Sequence, residues 1–392
     1  MIMSKSSPWL RPRTAYIHIP FCAHHCGYCD FAVATGHDHT IPLYLESLRA
    51  ELSTLKKSQP VSMRFLGGGT PTHLDYSQLT QLFQMLDEWL PLTPEAGQST
   101  EFSIESTPDS LDPQKVQLLR RARVNRVSVG IQTFHDRLLP VLDRRHRADQ
   151  IRPAIQMVRE SIEQFSLDLI FAVPGQTLDD WKHDLDTALT FEPDHISTYG
   201  LTFEKGTPLW KDRERGVIRS LDEDLELSMY VHAMERLQEA GYEHYEISNF
   251  AKPGKRCRHN EVYWANHAYF GFGMGAAGYV NGVRTLNSRN LHEYMRRALS
   301  GEPTAFQSEV LDGRERAFET LAVQLRRMAG VNRTEFEQQT GFALDALAGE
   351  VVSHLVEIGL LVDDGTFVAL TRQGKCVADG VIAKLMAVRE SD

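Results

Sequence analysis

The sequence predicts an α/β fold: a partial, TIM-like (β/α)6 barrel with a small α+β, winged-helix-like domain at its C-terminal end. Three observations predict it. Six short strand-like runs alternate with amphipathic helical stretches, the pattern of a parallel sheet built from strand–helix units. The chemically unusual residues fall at the C-terminal ends of those runs, where a barrel gathers its site, and this favours a barrel over an open doubly wound sheet. The alternation then stops, and roughly the last hundred residues read as helices followed by a hairpin.

The first strand is Thr14–Ile19, running into Cys22, Cys26 and Cys29. Ser62–Leu66 leads into Gly67-Gly68-Gly69-Thr70-Pro71, Glu101–Glu105 ends on a carboxylate, and Arg126–Ile131 is followed by Gln132. Ser166–Phe171 carries Asp168, and His195–Tyr199 leads to Gly200. A helix is expected over Tyr76 to Leu90, where Leu79, Leu82, Phe83, Leu86 and Leu90 recur at helical spacing, and another from Ser220, with Glu223 completing a capping box. Near the end, Arg333–Thr340 and Leu344–Ile358 read as helices. Leu360-Leu361-Val362 and Thr366-Phe367-Val368 read as a hairpin turned at Asp364-Gly365. Cys376 is expected to be a buried small hydrophobe.

A chain of 392 residues with 42% hydrophobic content can bury one large and one small core. The stretch Met1 to Arg13 carries Lys5, Arg11 and Arg13 without an apolar run of signal length, and no span of about eighteen apolar residues occurs. A cytoplasmic protein is expected. Five cysteines, with Cys257 and Cys376 remote from the other three, do not make a disulfide framework, which fits a reducing compartment. The charge of −10, with 52 acidic against 42 basic side chains, argues against nucleic acid as a partner.

Three cysteines on one short loop can hold three irons of a cubane and leave the fourth open to an exogenous ligand. The competing reading is structural zinc, for which His24 and His25 are at hand, but no second Cys-x-x-Cys is present to form the other knuckle. The glycine run allows close backbone approach and offers amide donors to a ligand; as pure structure it is a tight turn. Glu105 at a strand end invites an ammonium or a ribose hydroxyl, or else a local pair with Arg126. Asp168 interrupts the apolar run Leu167 to Phe171, an odd place for a carboxylate unless it points into a polar barrel mouth. Gln132 and Arg144 say less alone, since Arg144-Arg145-His146-Arg147 reads as a solvated basic face.

Taken together, Tyr16-Ile17-His18-Ile19-Pro20-Phe21-Cys22 through Cys29-Asp30-Phe31, the Gly67–Pro71 run, Ser128-Val129-Gly130-Ile131-Gln132-Thr133-Phe134 and Asp168 through Thr177 resemble radical S-adenosylmethionine (SAM) proteins of the oxygen-independent coproporphyrinogen oxidase group. Tyr245 to Ala251 and the His259-Asn260-x-x-Tyr263-Trp264 motif are similar to the heme chaperone branch of that group. The resemblance implies that Cys22, Cys26 and Cys29 bind a [4Fe–4S] cluster and that its open iron takes SAM. It also implies that Tyr16 and Tyr28 flank the cofactor, that Gly68, Gly69 and Thr70 meet its methionine end, and that Glu105, Gln132, Arg144 and Asp168 complete its contacts. Three regions are implied: a radical SAM core over 10–245, a motif-bearing and glycine-rich segment over 246–300, and the C-terminal domain over 301–392.

Two activities of that group compete: oxidative decarboxylation of coproporphyrinogen III to protoporphyrinogen, and delivery of heme. Asp30 and Phe31 after Cys29, where the enzyme branch places another cysteine, and only 21 residues before Cys22 favour delivery. An enzyme of the same fold acting on another substrate is the third reading. Heme would need an axial ligand and cations for its propionates, and Lys252 to His259 offers both. His259 is the expected ligand, Asn260, Tyr263 and Trp264 are pocket candidates, and His267 and Cys257 are alternatives. Without the motif, the same segment reads as an exposed basic loop with a stray thiol. Met274 and Ala277 depart from the branch's usual proline and histidine. The implied partners are heme, a heme-acceptor protein that includes a membrane-associated one among the candidates, and an electron donor if the protein is redox active.

Overall fold

The computed structural model describes residues 7–388, so the first six residues of the opening stretch lie outside the described residues. Six parallel strands make the body of the main sheet: β1 (Thr14–Ile19), β2 (Met63–Gly68), β3 (Glu101–Ser106), β4 (Arg126–Gln132), β5 (Gln164–Phe171) and β6 (His195–Gly200). They lie side by side in chain order, as strand–helix units with right-handed crossovers place them. Three further strands, β7 (Glu243–Glu246), β8 (Asn249–Ala251) and β9 (Phe270–Phe272), extend the edges. β8 runs antiparallel to β6 with β7 outside it, while β9 lies parallel to β1 on the other edge, so the sheet order is β9-β1-β2-β3-β4-β5-β6-β8-β7 and the barrel stays open. The sequence reading found the six inner strands within two residues at each end and missed these three.

Helices cover the outer face because each carries an apolar stripe at helical spacing. In Tyr76–Trp89, Leu79, Leu82, Phe83, Met85 and Leu86 are buried, and Asp75 caps the first turn by accepting from the Gln78 amide. The helix expected from Ser220 instead spans Glu223–Glu239 and is capped by Asp222, which accepts from the Asp224 amide. An aspartate one position ahead of the helix competes better for its free amides than a serine three positions ahead.

The inner face is different. Along the strands, Tyr16, Phe65, Glu105, Ser128, Asp168 and Tyr199 point into the barrel and keep some solvent access while most of their strand neighbours are buried. They are surrounded by protein and still wetted, which describes a hollow, polar lumen.

Beyond the barrel, Ala277–Val280, Val283–Asn287 and Ala305–Glu309 form a separate three-stranded antiparallel sheet. Gly313–Gln324, Arg333–Thr340 and Leu344–Glu357 then pack with strands Val331–Asn332, Leu361–Asp363 and Phe367–Leu370 around a core of their own that includes Phe318, Phe336, Leu355 and Val368. The hairpin turns where expected, with Gly365 at φ 85° and Asp363 opposite Val368. Cys376 is not buried as expected; it is half-exposed, with its thiol 3.4 Å from the Arg372 carbonyl. Among the described residues no helix is long and apolar enough to cross a membrane.

Candidate functional site

The cysteine loop is fastened at its base. Phe21–Cys22 pairs in parallel with Ala34–Thr35, and the Ala34 amide donates to the Pro20 carbonyl at 2.7 Å. Within it, the Cys29 amide donates to the Cys26 carbonyl at 3.2 Å, and His25 Nε2 donates to the Cys29 carbonyl at 3.0 Å. Gly27 is wedged against Leu209 and Asp143, 3.1 Å and 3.3 Å from where a Cβ would sit. All three thiols are free and partly accessible, and Cys22 Sγ lies 3.6 Å from Thr70 Oγ1. Burial pushes the Cys22 thiol up to about 12 and raises Cys26 and Cys29, while the Arg144 guanidinium acts in the opposite direction on all three. Holding thiolates here therefore needs a strong cationic centre. Among the described residues no three His, Cys, Asp or Glu side chains surround a point as one metal ion would need. A cubane, with each thiolate on its own iron, makes no such demand.

His18, at the end of β1, ties this loop to the lumen. Its Nε2 lies 2.7 Å from the Ala32 carbonyl, which only an N–H can satisfy, so Nδ1 is the acceptor for the Tyr16 hydroxyl at 3.1 Å. Burial lowers its pKa to about 4, which keeps the ring neutral in that tautomer. The glycine run packs against the same ring. Gly68 has φ 110°, and a Cβ there would fall 2.4 Å from His18, while one on Gly69 would fall 2.6 Å from the Pro20 carbonyl. The amides expected to serve a ligand are already used: Gly68 N–H donates to Glu105 at 3.0 Å, Gly69 N–H to Ile19 and Thr70 N–H to Phe21. Close approach is what these glycines provide.

Two carboxylates face the lumen, and among the described residues neither makes an ion pair within 4.0 Å. Glu105 accepts from the Gly68 amide, and burial, with Asp168 adding to it, raises its pKa to about 7. The suggested pairing with Arg126 does not form; Arg126 turns to the barrel base, donating to the Lys255 carbonyl at 3.1 Å. Asp168 accepts from Ser128 at 2.8 Å and Ser197 at 2.7 Å, and burial raises its pKa against the pull of those hydroxyls. Arg126 and Arg144 pull on Asp168 from a distance, and the two acids of the lumen still suit a cationic guest.

Arg144 does not belong to a solvated face. Arg145 and Arg147 are exposed, but Arg144 turns inward, donates to the Tyr28 hydroxyl at 2.6 Å and keeps a buried Nε without a partner. Its pKa is raised although burial opposes the charge, because Tyr28 and the thiols Cys26 and Cys29 surround it. Gln132 ends β4 at φ 66°, where the β4–β5 register shifts, a strained conformation for a residue with a side chain. Cys22, Cys26, Cys29, Tyr16, Tyr28, Gly68, Gly69, Thr70, Glu105, Gln132, Arg144 and Asp168 thus gather around the mouth and lumen. Ser128, Ser197 and His18 belong with them and were missed.

The motif residues lie elsewhere. His259 opens the short helix Arg258–Trp264 at the base of the barrel, where Glu101 accepts from the amides of Arg258 and His259 at 2.9 Å and 3.1 Å. The thiol of Cys257, expected on an exposed loop, is buried there against Glu101, although Gly254 and Arg256 are exposed. The His259 ring is 1% exposed and stacks on Phe65 at 4.7 Å, with Tyr16 beyond at 6.3 Å and Tyr263 edge-on at 4.6 Å. Burial lowers its pKa to about 3, so it is neutral. Nδ1 lies 2.7 Å from Thr14 Oγ1, whose proton has the Met63 carbonyl at 3.3 Å, and Nε2 is buried with no partner. Asn260 is half-buried, and Trp264 lies under the Arg326 guanidinium at 5.4 Å. His267 is held by Arg13 at 3.3 Å. Met274 is buried with its amide donating to Tyr44, and Ala277 opens the outer sheet.

The chain matches the Radical SAM superfamily over residues 16–188 and the HemN C-terminal domain over 311–377. A Bacillus subtilis (strain 168) protein named heme chaperone HemW is 38% identical over 95% of this chain and 99% of its own. A Lactococcus lactis protein of the same name is 34% identical over 96% and 98%. Among solved structures, the Escherichia coli coproporphyrinogen III oxidase HemN, described as a radical SAM enzyme, superposes with a TM-score of 0.83 at 21% identity, covering 96% of this chain and 90% of that one; this is a likeness of fold. The free-cysteine loop, the hollow acidic barrel and these full-length matches place the chain in the heme chaperone HemW family, within the radical SAM superfamily.

Proposed function

We propose that this protein is a heme chaperone: it holds a [4Fe–4S] cluster and SAM in its barrel, binds heme and passes it to an acceptor protein. The observation that carries the reading is the 38% identity, over nearly the full length of both chains, to a relative named for that activity. When bound, a cluster with SAM supplies one-electron chemistry. The residues fit the pair. Cys22, Cys26 and Cys29 are free thiols on a loop fastened at its base, and Glu105 and Asp168 offer carboxyl groups that a sulfonium or ammonium would hold in the ionised form. Arg144, whose Nε is buried and unpaired, can take a carboxylate, while Tyr16 and Tyr28 line the approach. Gly68, Gly69 and Thr70 let a guest come close, and Gln132 ends β4, two strands along the same sheet.

For heme, His259 is the proposed inner ligand. If Thr14 donates to Met63, His259 Nδ1–H donates to Thr14 and Nε2 carries a bare lone pair, the atom a heme iron would take. Asn260, Tyr263 and Trp264 stand beside it. The working regions are a core over 10–245, a motif segment over 246–300 and a C-terminal unit over 301–392, acting in a reducing cytoplasm where all five cysteines stay free. The partner this reading calls for is a heme-acceptor protein, with a membrane-associated one among the candidates, and an electron donor is a partner if the protein is redox active.

The test is anaerobic incubation of reconstituted protein with coproporphyrinogen III, SAM and a reductant. No protoporphyrinogen is expected; its formation at catalytic turnover would sink the chaperone reading in favour of the oxidase. In parallel, Cys22→Ala, Cys26→Ala or Cys29→Ala should each remove the cluster's visible absorbance, and a full cluster surviving any one of them contradicts the ligand assignment.

A further inference from the structure

The rim of the barrel carries histidines that no reading above uses. Seven positions beyond Cys29 the chain reaches Gly36-His37-Asp38-His39. The His37 ring lies 6.1 Å from that of His39 and 5.7 Å from that of His292, which stands on the neighbouring helix Leu291–Ser300. The backbone of His37 is pinned, its carbonyl accepting the Thr40 amide at 2.8 Å and the Thr40 hydroxyl at 2.7 Å. Its Nδ1 is enclosed and has no partner, whereas His39 and His292 are exposed. Asp38, between two of the three, accepts from His73 Nε2 at 3.1 Å. His73 directly follows the Gly67–Thr72 turn, so the cluster lies on the strand-end side of the barrel, the side of the cysteine loop.

Two other features stand at the same rim. Phe31 is 63% exposed, the value expected of a polar side chain, and it adjoins Asp30, which Arg289 holds through both its carbonyl and its carboxylate. Arg289 is itself half-exposed and lies three positions before His292. An imidazole, an exposed aromatic face and a guanidinium are what a heme needs for its iron, its ring and its propionates. Among the described residues no three metal-ligating side chains converge on one point. The rings would therefore serve singly or in pairs, as axial ligands do, and not as a closed cage for an ion.

We propose that His37, His39 and His292 form a second heme-ligating site at the barrel rim, flanked by Phe31 and Arg289, from which heme is handed to the acceptor. This rests on the heme chaperone reading and deepens it. His259 offers a lone pair but is sealed in the barrel base, 1% exposed, at the opposite end from the mouth. A heme that must be passed to another protein needs a ligand that the partner can displace, and only an accessible imidazole allows that.

The experiment is a hemin titration of the reconstituted full chain, followed at the Soret band, for the wild type, the double variant His39→Ala/His292→Ala and the control His354→Ala. His39, His292 and His354 are all exposed, so none of these changes threatens folding. The expected result is at least a tenfold weaker hemin affinity and an altered Soret position in the double variant, with the control unchanged. His37→Ala in the double background should weaken binding further. Equal affinity and an identical spectrum in wild type and double variant would overturn the rim site and leave the chaperone reading standing. An equal loss in the His354→Ala control would overturn it as unspecific surface binding. Absence of saturable hemin binding in the wild type would overturn both.

Discussion

Glu105 shows most clearly how single residues set the behaviour of the barrel. Its carboxyl sits in the lumen near a second acid and accepts one amide proton, and the pKa of about 7 follows from burial first and Asp168 second. A carboxyl raised by folding adds stability below its unfolded value, and that contribution is lost as pH rises through about 7. A bound cation reverses the preference, because it favours the ionised form. SAM affinity should therefore rise as pH climbs through about 7, and Glu105→Gln should weaken binding about tenfold or more and flatten that pH profile. Calorimetric titration across the range checks it; an unchanged profile in the variant removes Glu105 from the cofactor contacts. Glu105 and Asp168 were legible in the sequence because a carboxylate amid apolar strand residues costs free energy unless it has work to do. Ser128 and Ser197 were not, since a serine at alternate strand positions looks like any half-exposed face, and only the fold points both hydroxyls at Asp168. His259 was legible as a motif but not as a floor residue, because the short helix carrying it follows a loop whose path no local pattern predicts.

Individual elements were read well where they repeat and poorly where they are short. The six inner strands run six to eight residues each, long enough for a strand pattern to show, and they recur with helices between them. β7, β8 and β9 span only three or four residues each, too few for a pattern, and are defined by the strands they pair with. One buried side chain gathers four of the bonds that fasten the outer segment following β9 to the barrel. Glu51, on helix Ile41–Ser53, accepts from the Gly273 amide at 2.8 Å, Asn287 at 2.6 Å, Tyr294 at 2.7 Å and Thr304 at 2.8 Å. Burial raises its pKa while those four donors hold it down. Nothing in the sequence singles this glutamate out, since it reads as one more charge on a helix. Glu51→Ala should strand four donors at once and cost about 3–5 kcal/mol in urea unfolding. A loss below about 1 kcal/mol would mean that the fastening is made elsewhere.

At the scale of the whole molecule, the motif helix joins the two cores. The residues just past its end are gripped from the C-terminal unit: Gln324 and Gln339 both donate to the Ala265 carbonyl at 3.1 Å, Gln339 also to the Asn266 carbonyl, and the Asn266 side chain donates to Thr320 at 3.0 Å. Its first residues close the barrel base beside Glu101, and its His259 ring stacks toward Tyr16. The C-terminal unit is thus mechanically continuous with the barrel floor, and this, more than any resemblance to DNA-binding winged helices, gives it a place in the protein. Replacing Gln324 and Gln339 together by Ala should raise hydrogen exchange across 258–266 while the C-terminal core keeps its protection; unchanged exchange there would show that the grip does not hold the floor. The central claim is that this architecture carries heme. The measurement that bears on it most directly is a hemin titration of the anaerobically reconstituted protein, followed at the Soret band. Heme carriage predicts saturation at a whole-number ratio of heme to chain; a rise that never saturates would contradict it.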